Sequence, residues 1–375
     1  MNLNEKNVLI LQGGGALGAY QAGAYAALHE AGYEIDWLSG ISIGAINSAL
    51  IAGNPPEQRV EKLKAFWAKV SAGKFSQPLL PGHIGRLLFN ESSAAEVLAF
   101  GANGLFRPRF PPVFYNPLGF QDALSYYDTA PLRDTLLELV DFERLNHGDP
   151  RISIGAVNVT SGNFLYFDSD IEPIIPEHIM ASAALPDGLP PIEINVEWYW
   201  DASLVSNTPL QYVIDHNAKV CEDLLLFQVD LFSAEGSMPK NIMEVGRRMK
   251  DIQHSSQTRT ITDIVRDTQK IRGLINRLLD HIPTESLTEE EMALLGKWSC
   301  DSAITLVHLI YRHKTMNWLP RIMKFHVCLL RSIGRQANRI LNICFLKSLG
   351  LIVNSSREKL PSLILMKCMI LLWYK

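Results

Sequence analysis

Short apolar runs closed by glycine set the pattern of the first seventy positions. The run "VLILQ" at 8–12 predicts a buried strand, and the alanine-rich 19–31 predicts a helix closed by Gly32, the residue favoured just past a helix end. A second short strand is predicted over 35–40, then a sharp turn into a small-residue helix ending near Gly53. The prolines of "NPP" open an amphipathic helix after it. Strand, turn and helix repeated at once predict a parallel sheet with right-handed crossovers.

Further along, the pattern changes character. Residues 82–117 are rich in Pro, Gly and Phe, and "NGLFRPRFPPVFYNP" is too proline-broken for a core element, so a surface excursion is expected. "DTAPLRDTLLELV" predicts a helix begun by Asp128 or Thr129 with Pro131 in its first turn. "RISIGAVNVTSGNFLYFD" alternates like a hairpin, and "IEINVEWYWDASLVSNTPLQYVID" predicts a second, aromatic hairpin followed by a loop and a helix. Two further buried strands, "DLLLFQVDLF" and "AITLVHLIYRH", flank a mostly helical insertion over 238–298 that reads as a packed helix pair. The resulting organisation is a principal α/β domain over 1–235, a helical insertion and final strand completing it over 236–314, and a separate tail over 315–375.

Charge sets that tail apart. From Thr315 onward there are ten Lys or Arg and one acidic residue, +9, against 25 and 38 in residues 1–314, −13. Three readings are open: a membrane-facing amphipathic segment with Arg331, Arg335 and Arg339 on one helical face, an ordinary terminal helical cap, or sequence read in an altered frame. Its final run, "LPSLILMKCMILLWYK", is short of the roughly twenty residues that span a bilayer.

For the whole chain, 375 residues, 47% hydrophobic and 20% charged, allow a large core. A net charge of −4 and the absence of helix-turn-helix, zinc-finger or RNA-binding signatures argue against nucleic acid as a partner. The chain enters its first strand without a leader-like segment, and its five cysteines (Cys221, Cys300, Cys328, Cys344, Cys368) are odd in number and never spaced as metal ligands. The expectation is a cytoplasmic protein with free thiols and no metal or organic cofactor.

Candidate chemistry begins at "LQGGGALGAYQAG". Gly13-x-Gly15-x-x-Gly18 between a strand and a helix offers free N–H groups and a helix N-terminus to an anion. With Asp36 near the ribose-binding offset, the anion could be a dinucleotide pyrophosphate; it could equally be an oxyanion formed in acyl transfer. Gly40-Ile41-Ser42-Ile43-Gly44 favours the second. It is a GxSxG in the strand–turn–helix context of a nucleophile elbow, with Gly40 and Gly44 permitting the tight turn and Gly13, Gly14 and Gly15 as oxyanion donors. Only two strands fit before Ser42, too few for an α/β-hydrolase with its partner histidine. Asp201, ending an aromatic strand and shielded by Trp198, Tyr199 and Trp200, is the candidate base, against the commoner role of an aspartate capping its own turn.

"GGGALG", "GISIG" and a later Asp at a strand end, preceded by "ASAALPDGLPPIEI", resemble the patatin-like phospholipases over roughly residues 8–232. The resemblance implies a three-layer α/β/α catalytic domain and a lipid acyl hydrolase. It places Ser42 as nucleophile and Asp201 as base of a Ser–Asp dyad, and Gly13, Gly14 and Gly15 as the oxyanion hole. It further implies a lipid ester substrate, no cofactor, and peripheral membrane contact, for which the aromatic excursion around 106–115 is the candidate. The family usually carries Asp-Gly-Gly or Asp-Gly-Ala where this chain has Asp201-Ala202-Ser203. A positive φ at either position would cost about 1–2 kcal/mol. Two other readings stay open: a catalytically impaired lipid- or partner-binding protein on the same fold, and a dinucleotide-binding oxidoreductase.

Overall fold

The computed structural model describes residues 5–71, 97, 99–117, 121–279, 281, 287–298 and 302–312. The basic tail and the part of the excursion before residue 97 lie outside the described residues. In chain order the regular elements are β1 (Glu5–Leu11), α1 (Gly18–Glu30), β2 (Trp37–Gly40), α2 (Ile43–Ala52), α3 (Pro56–Val70), β3 (Arg107–Pro108), β4 (Tyr127–Asp128), α4 (Ala130–Leu139) and α5 (Phe142–His147). They continue with β5 (Arg151–Asn158), β6 (Phe164–Asp168), α6 (Pro176–Ser182), β7 (Ile192–Ile194), β8 (Glu197–Asp201), α7 (Leu210–Val220), β9 (Asp223–Asp230), α8 (Ile242–Leu279), α9 (Glu289–Trp298) and β10 (Ile304–Ile310).

The fold is a mixed α/β architecture around one mainly parallel sheet, ordered β10-β9-β1-β2-β5-β8-β7, with β6 also paired to β5. β1 lies in the middle because its residues from Val8 onward are apolar on both faces and fully buried, as a strand covered on both sides must be. Alternation then divides the core. Leu9 and Leu11 join the cluster built with α1, α2 and α3, whereas Val8 and Ile10 join Leu224 and Leu226 beneath Leu210 and Val213 of α7 and Val265 of α8. The two predicted hairpins are present as antiparallel β5–β6 and β7–β8, and β8 also runs antiparallel to β5.

Polar groups tie the first three helices together. Asn47 of α2 donates to the Gly18 carbonyl and to Gln21 Oε1, both in α1, and accepts from Trp67 Nε1 of α3 at 3.1 Å. The helix after the excursion starts as the sequence suggests: Asp128 Oδ1 accepts from Ala130 N at 2.9 Å, although Thr129 caps nothing with its side chain.

Two expectations need correction. Phe106 does not belong to an exposed aromatic patch: it is buried against Tyr127, ring centroids 4.8 Å apart, because the hairpin-like turn at Ala102 folds it inward. Cys221, at the left-handed C-terminus of α7 with φ 58°, is disulfide-bonded and not a free thiol. Cysteine spacing in sequence could not show this, since pairing depends on Cα atoms within about 7 Å in space.

Gly44 at the start of α2 abuts the end of β1, and a Cβ there would overlap the Leu11 carbonyl oxygen. Gly44→Ala is therefore expected to destabilise the fold by roughly 1–3 kcal/mol. Gly246→Ala, where a methyl group meets open space inside α8, is expected to stabilise by about 0.5–1 kcal/mol. Urea midpoints of the two variants check the pair, and a wild-type midpoint for Gly44→Ala would contradict the close approach.

Candidate active site

The turn between β2 and α2 holds Ser42 at φ 56°, ψ −123°. A non-glycine residue there is strained, and strain of this kind persists only where surrounding bonds over-determine it. Those bonds are present. Ile41 N donates to the Leu11 carbonyl at 3.1 Å, Gly44 N to Ile41 O at 2.8 Å, and Ala45 N to Ser42 O at 2.9 Å. Gly40 makes room, since a Cβ on it would lie 2.5 Å from the Gly44 carbonyl carbon. The Ser42 amide itself donates to Ser182 Oγ at 2.9 Å.

Asp201, the last residue of β8, sits opposite Ala156 of β5 and is 1% exposed. Its Oδ1 accepts from Ser203 N at 2.8 Å, and the Ser42 side chain acts on the carboxylate closely enough to pull its pKa down. Burial pushes its pKa up to about 6, against the downward pull of Ser42 and Ser203. The shielding does not come from the tryptophans. Strand alternation sends Trp198 and Trp200 to the face opposite Asp201, leaving Tyr199 on its side. Ala202 and Ser203 occupy a single turn of 3-10 helix, and neither has a positive φ. The steric cost anticipated from their side chains does not arise.

The glycine loop follows β1 directly. A Cβ on Gly13 would come within 3.1 Å of Ser42 Cβ and 2.5 Å of Asn207 Oδ1, while one on Gly14 would strike Leu231. Gly15 adopts φ 55° as it enters the turn before α1. Among the described residues, no backbone carbonyl accepts from the N–H of Gly13 or Gly14. Gly13, Gly14 and Gly15 are thus carried by one loop, of which Gly13 lies against Ser42.

Three residues that hold this arrangement escaped the sequence reading. Asn207 Nδ2 donates to the Gly13 carbonyl at 2.9 Å, fixing the plane of the Gly13–Gly14 peptide, while its Oδ1 is buried without a partner. Gln12 Nε2 bridges Thr208 and Thr258, each at 2.7 Å, and its Oε1 accepts from Leu231 N. Ser182 ends α6. Asn207 and Thr208 belong to the polar loop noticed after Asp201, and Ser182 to "ASAALPDG", but no local spacing marks any of them as facing Ser42.

Asp36 lies elsewhere. Its Oδ2 accepts from Asn7 N at 2.7 Å at the other end of β1, away from the carboxyl ends of the strands where ligands of open α/β sheets bind. That placement removes the carboxylate on which a dinucleotide reading relied. Among the described residues, no group of three or more His, Cys, Asp or Glu is arranged to hold a metal ion.

Comparison with known proteins adds an independent line. A family model described as patatin-like phospholipase matches residues 9–214, and one described as patatin phospholipase matches residues 252–319. Among solved structures, VipD from Legionella pneumophila is 14% identical with a TM-score of 0.36, covering 89% of this chain and 67% of its own. The type III effector protein ExoU is 13% identical with a TM-score of 0.33, covering 90% of this chain and 52% of its own. Full-length ExoU with SpcU from Pseudomonas aeruginosa is 19% identical with a TM-score of 0.29, covering 66% and 47%. No curated protein matches the chain.

The raised pKa of Asp201 has a consequence for stability. The folded chain keeps this proton up to about pH 6, whereas the unfolded chain releases it near its ordinary 3.8. Native stability therefore falls as pH rises through that window. Asp201→Asn is expected to raise stability above pH 6 by roughly 2–3 kcal/mol and to change it little near pH 4. Denaturation midpoints of both proteins across pH 4–8 would measure this; a constant difference would refute it.

Proposed function

The chain belongs to the patatin-like phospholipase family, and from that premise we propose that it is a lipid acyl hydrolase working through a Ser42–Asp201 dyad. The observation that carries the reading is a strained Ser42 whose side chain acts on the buried carboxylate of Asp201. No histidine takes part in that pair. In this reading residues 1–235 form the catalytic domain and residues 236–314 the helical insertion and strand that complete it.

In the proposed reaction the ionised Asp201 accepts the Ser42 proton as Oγ attacks the ester carbonyl carbon. A base with pKa near 6 is ionised at neutral pH yet basic enough to take a proton in the transition state. The negative charge that develops on the carbonyl oxygen is met by N–H groups of the Gly13–Gly14–Gly15 loop, each such donor being worth about 3 kcal/mol. Collapse breaks the ester bond, and the departing alcohol takes the proton held by Asp201. Water then attacks the acyl-enzyme, gives a proton to Asp201, and releases the fatty acid with Ser42 reprotonated. Asn207 acts as a positioning residue, since its bond to the Gly13 carbonyl sets the direction of the Gly14 N–H.

The lipid substrate also gives the excursion a role. Phe110, Phe114 and Tyr115 are 96%, 83% and 80% exposed. Their strap is joined to the 184–188 segment by Tyr126 N to Asp187 O and Tyr127 N to Gly188 O, and Ala184 O in turn accepts from Asp201 N. Exposed aromatics on a segment tied through 184–188 to the strand that carries Asp201 suit contact with an acyl chain or a lipid interface.

Ester hydrolysis with short-chain and phospholipid substrates tests the proposal. Ser42→Ala is expected to abolish turnover, and wild-type kcat/KM to rise about tenfold per pH unit up to an inflection near 6. Asn207→Asp, which replaces a donor with a charge facing a carbonyl, is expected to lower kcat about tenfold or more with little change in KM. Wild-type protein that cleaves no acyl ester in any lipid presentation would reject the hydrolase reading.

A further inference from the structure

The polarity of α8 is inverted. Among the described residues its buried ones are Asp251, Ser255, Thr258, Val265 and Arg272, four of them polar, whereas its outer side exposes Ile242, Val245, Met249 and Ile252 in one half and Ile264, Ile271, Leu274 and Leu278 in the other. An ordinary surface helix turns its apolar stripe to the core. Here the protein-facing side even leaves His254 Nδ1, Gln257 Oε1, Gln269 Nε2 and Asn276 Nδ2 without hydrogen-bond partners. Each buried orphan of this kind destabilises that side of the helix. The sequence expectation of an ordinary packed helix pair does not describe this arrangement.

We infer that the outer face of α8 is a docking surface for an anionic lipid bilayer. Charge selects that occupant. The helix carries eight Lys or Arg and four Asp or Glu, a balance of +4, and Arg259, Arg266, Lys270 and Arg277 recur at whole-turn spacings along one flank of the apolar stripe, Arg266 and Lys270 being paired with the exposed Asp263 and Asp267. Apolar side chains with a basic border are the combination that lies in a membrane interface and is attracted by anionic headgroups. The helix is not a spanning segment, since no helix among the described residues is long and apolar enough to cross a membrane. The choice of lipid over another apolar partner rests on the acyl-hydrolase reading. Its position suits that reading: Thr258, midway along α8, is bonded to Gln12, the residue before Gly13.

Vesicle co-sedimentation of the full chain tests the inference, with phosphatidylcholine alone or with about one third phosphatidylglycerol. It is run also in a Ser42→Ala background, so that binding is read without hydrolysis. The expected result is preferential binding to anionic vesicles that weakens with salt. Binding should fall at least about tenfold in the combined Met249→Gln, Ile252→Gln, Ile271→Gln, Leu274→Gln variant, at an unchanged thermal midpoint. A second variant, Arg259→Glu with Arg277→Glu, keeps the apolar face and should lose the anionic preference. Equal binding to both vesicles, or undiminished binding by both variants, overturns the inference. So does a solution dimer that the glutamine variant dissolves, which would assign the face to a second copy, or a thermal midpoint lowered by several degrees, which would assign it to the chain's own packing. Vesicle binding with no ester turnover would uphold this surface while removing the catalytic reading.

Discussion

The contact between the start of α2 and the end of β1 is the constraint on which the rest depends. Leu11 lies opposite Gly40 in the parallel β1–β2 register, and the Leu11 carbonyl accepts from Ile41 N just as the chain turns. No side chain fits between them at Gly44. Because the two strand ends are locked at that distance, whatever follows β1 must lie beside whatever follows β2. Gly13 and Ser42 are therefore neighbours by sheet register, and the strained backbone at Ser42 follows from the same crowding.

Asp201 is placed by a different device. Strand β8 runs antiparallel to β5 but overlaps only its final residues, Ala156 to Asn158, so its own last residue stops beside Ala156, close to the end of the sheet where the parallel strands finish. A carboxylate delivered there is taken out of water, and the fold tolerates it by offering the Ser203 N–H as a donor and the Ser42 side chain as a favourable neighbour. Those two groups do not fully offset the desolvation, and the pKa stays raised. A less buried aspartate would favour stability; a more basic one favours proton transfer from serine. The site lies on the second side of that opposition, as groups poised for acid–base work commonly do.

Much of this was legible in the sequence, and the boundary of what was not has a physical basis. The strand–glycine–helix units at 8–31 and 35–53 were readable because apolar runs, glycine turns and helix ends are local signals. Both hairpins were readable for the same reason. Asn207, Ser182 and Gln12 were not, because each acts through a partner at least 140 residues away or through a backbone carbonyl that no side-chain pattern reveals. The apparent shielding of Asp201 by neighbouring tryptophans failed on strand alternation, and Phe106 failed on a turn that reversed its direction. For Ala202 and Ser203 the family pattern suggested strain. The backbone there takes ordinary helical angles, so the glycines usual at these positions are not required by φ in this chain.

The polar network beneath the glycine loop explains why the outer face of α8 and the candidate site belong to one mechanical unit. Thr258 contacts both Gln12 and Thr208, and Gln12 also holds Leu231, whose side chain would block a Cβ on Gly14. A buried side-chain network of this kind is rigid only while every member is satisfied. The same helix leaves several inward polar atoms without partners on either side of Thr258. Its seating is thus firm at the point that touches the loop and where Arg248 donates to Ser233 O and Ala234 O, and poorly satisfied at these other positions. An apolar medium along its outer face would leave those firm contacts undisturbed while covering the eight side chains the core does not bury. The loop that carries Gly13 would then be held from behind by a helix whose own burial is completed only when the protein meets its surface.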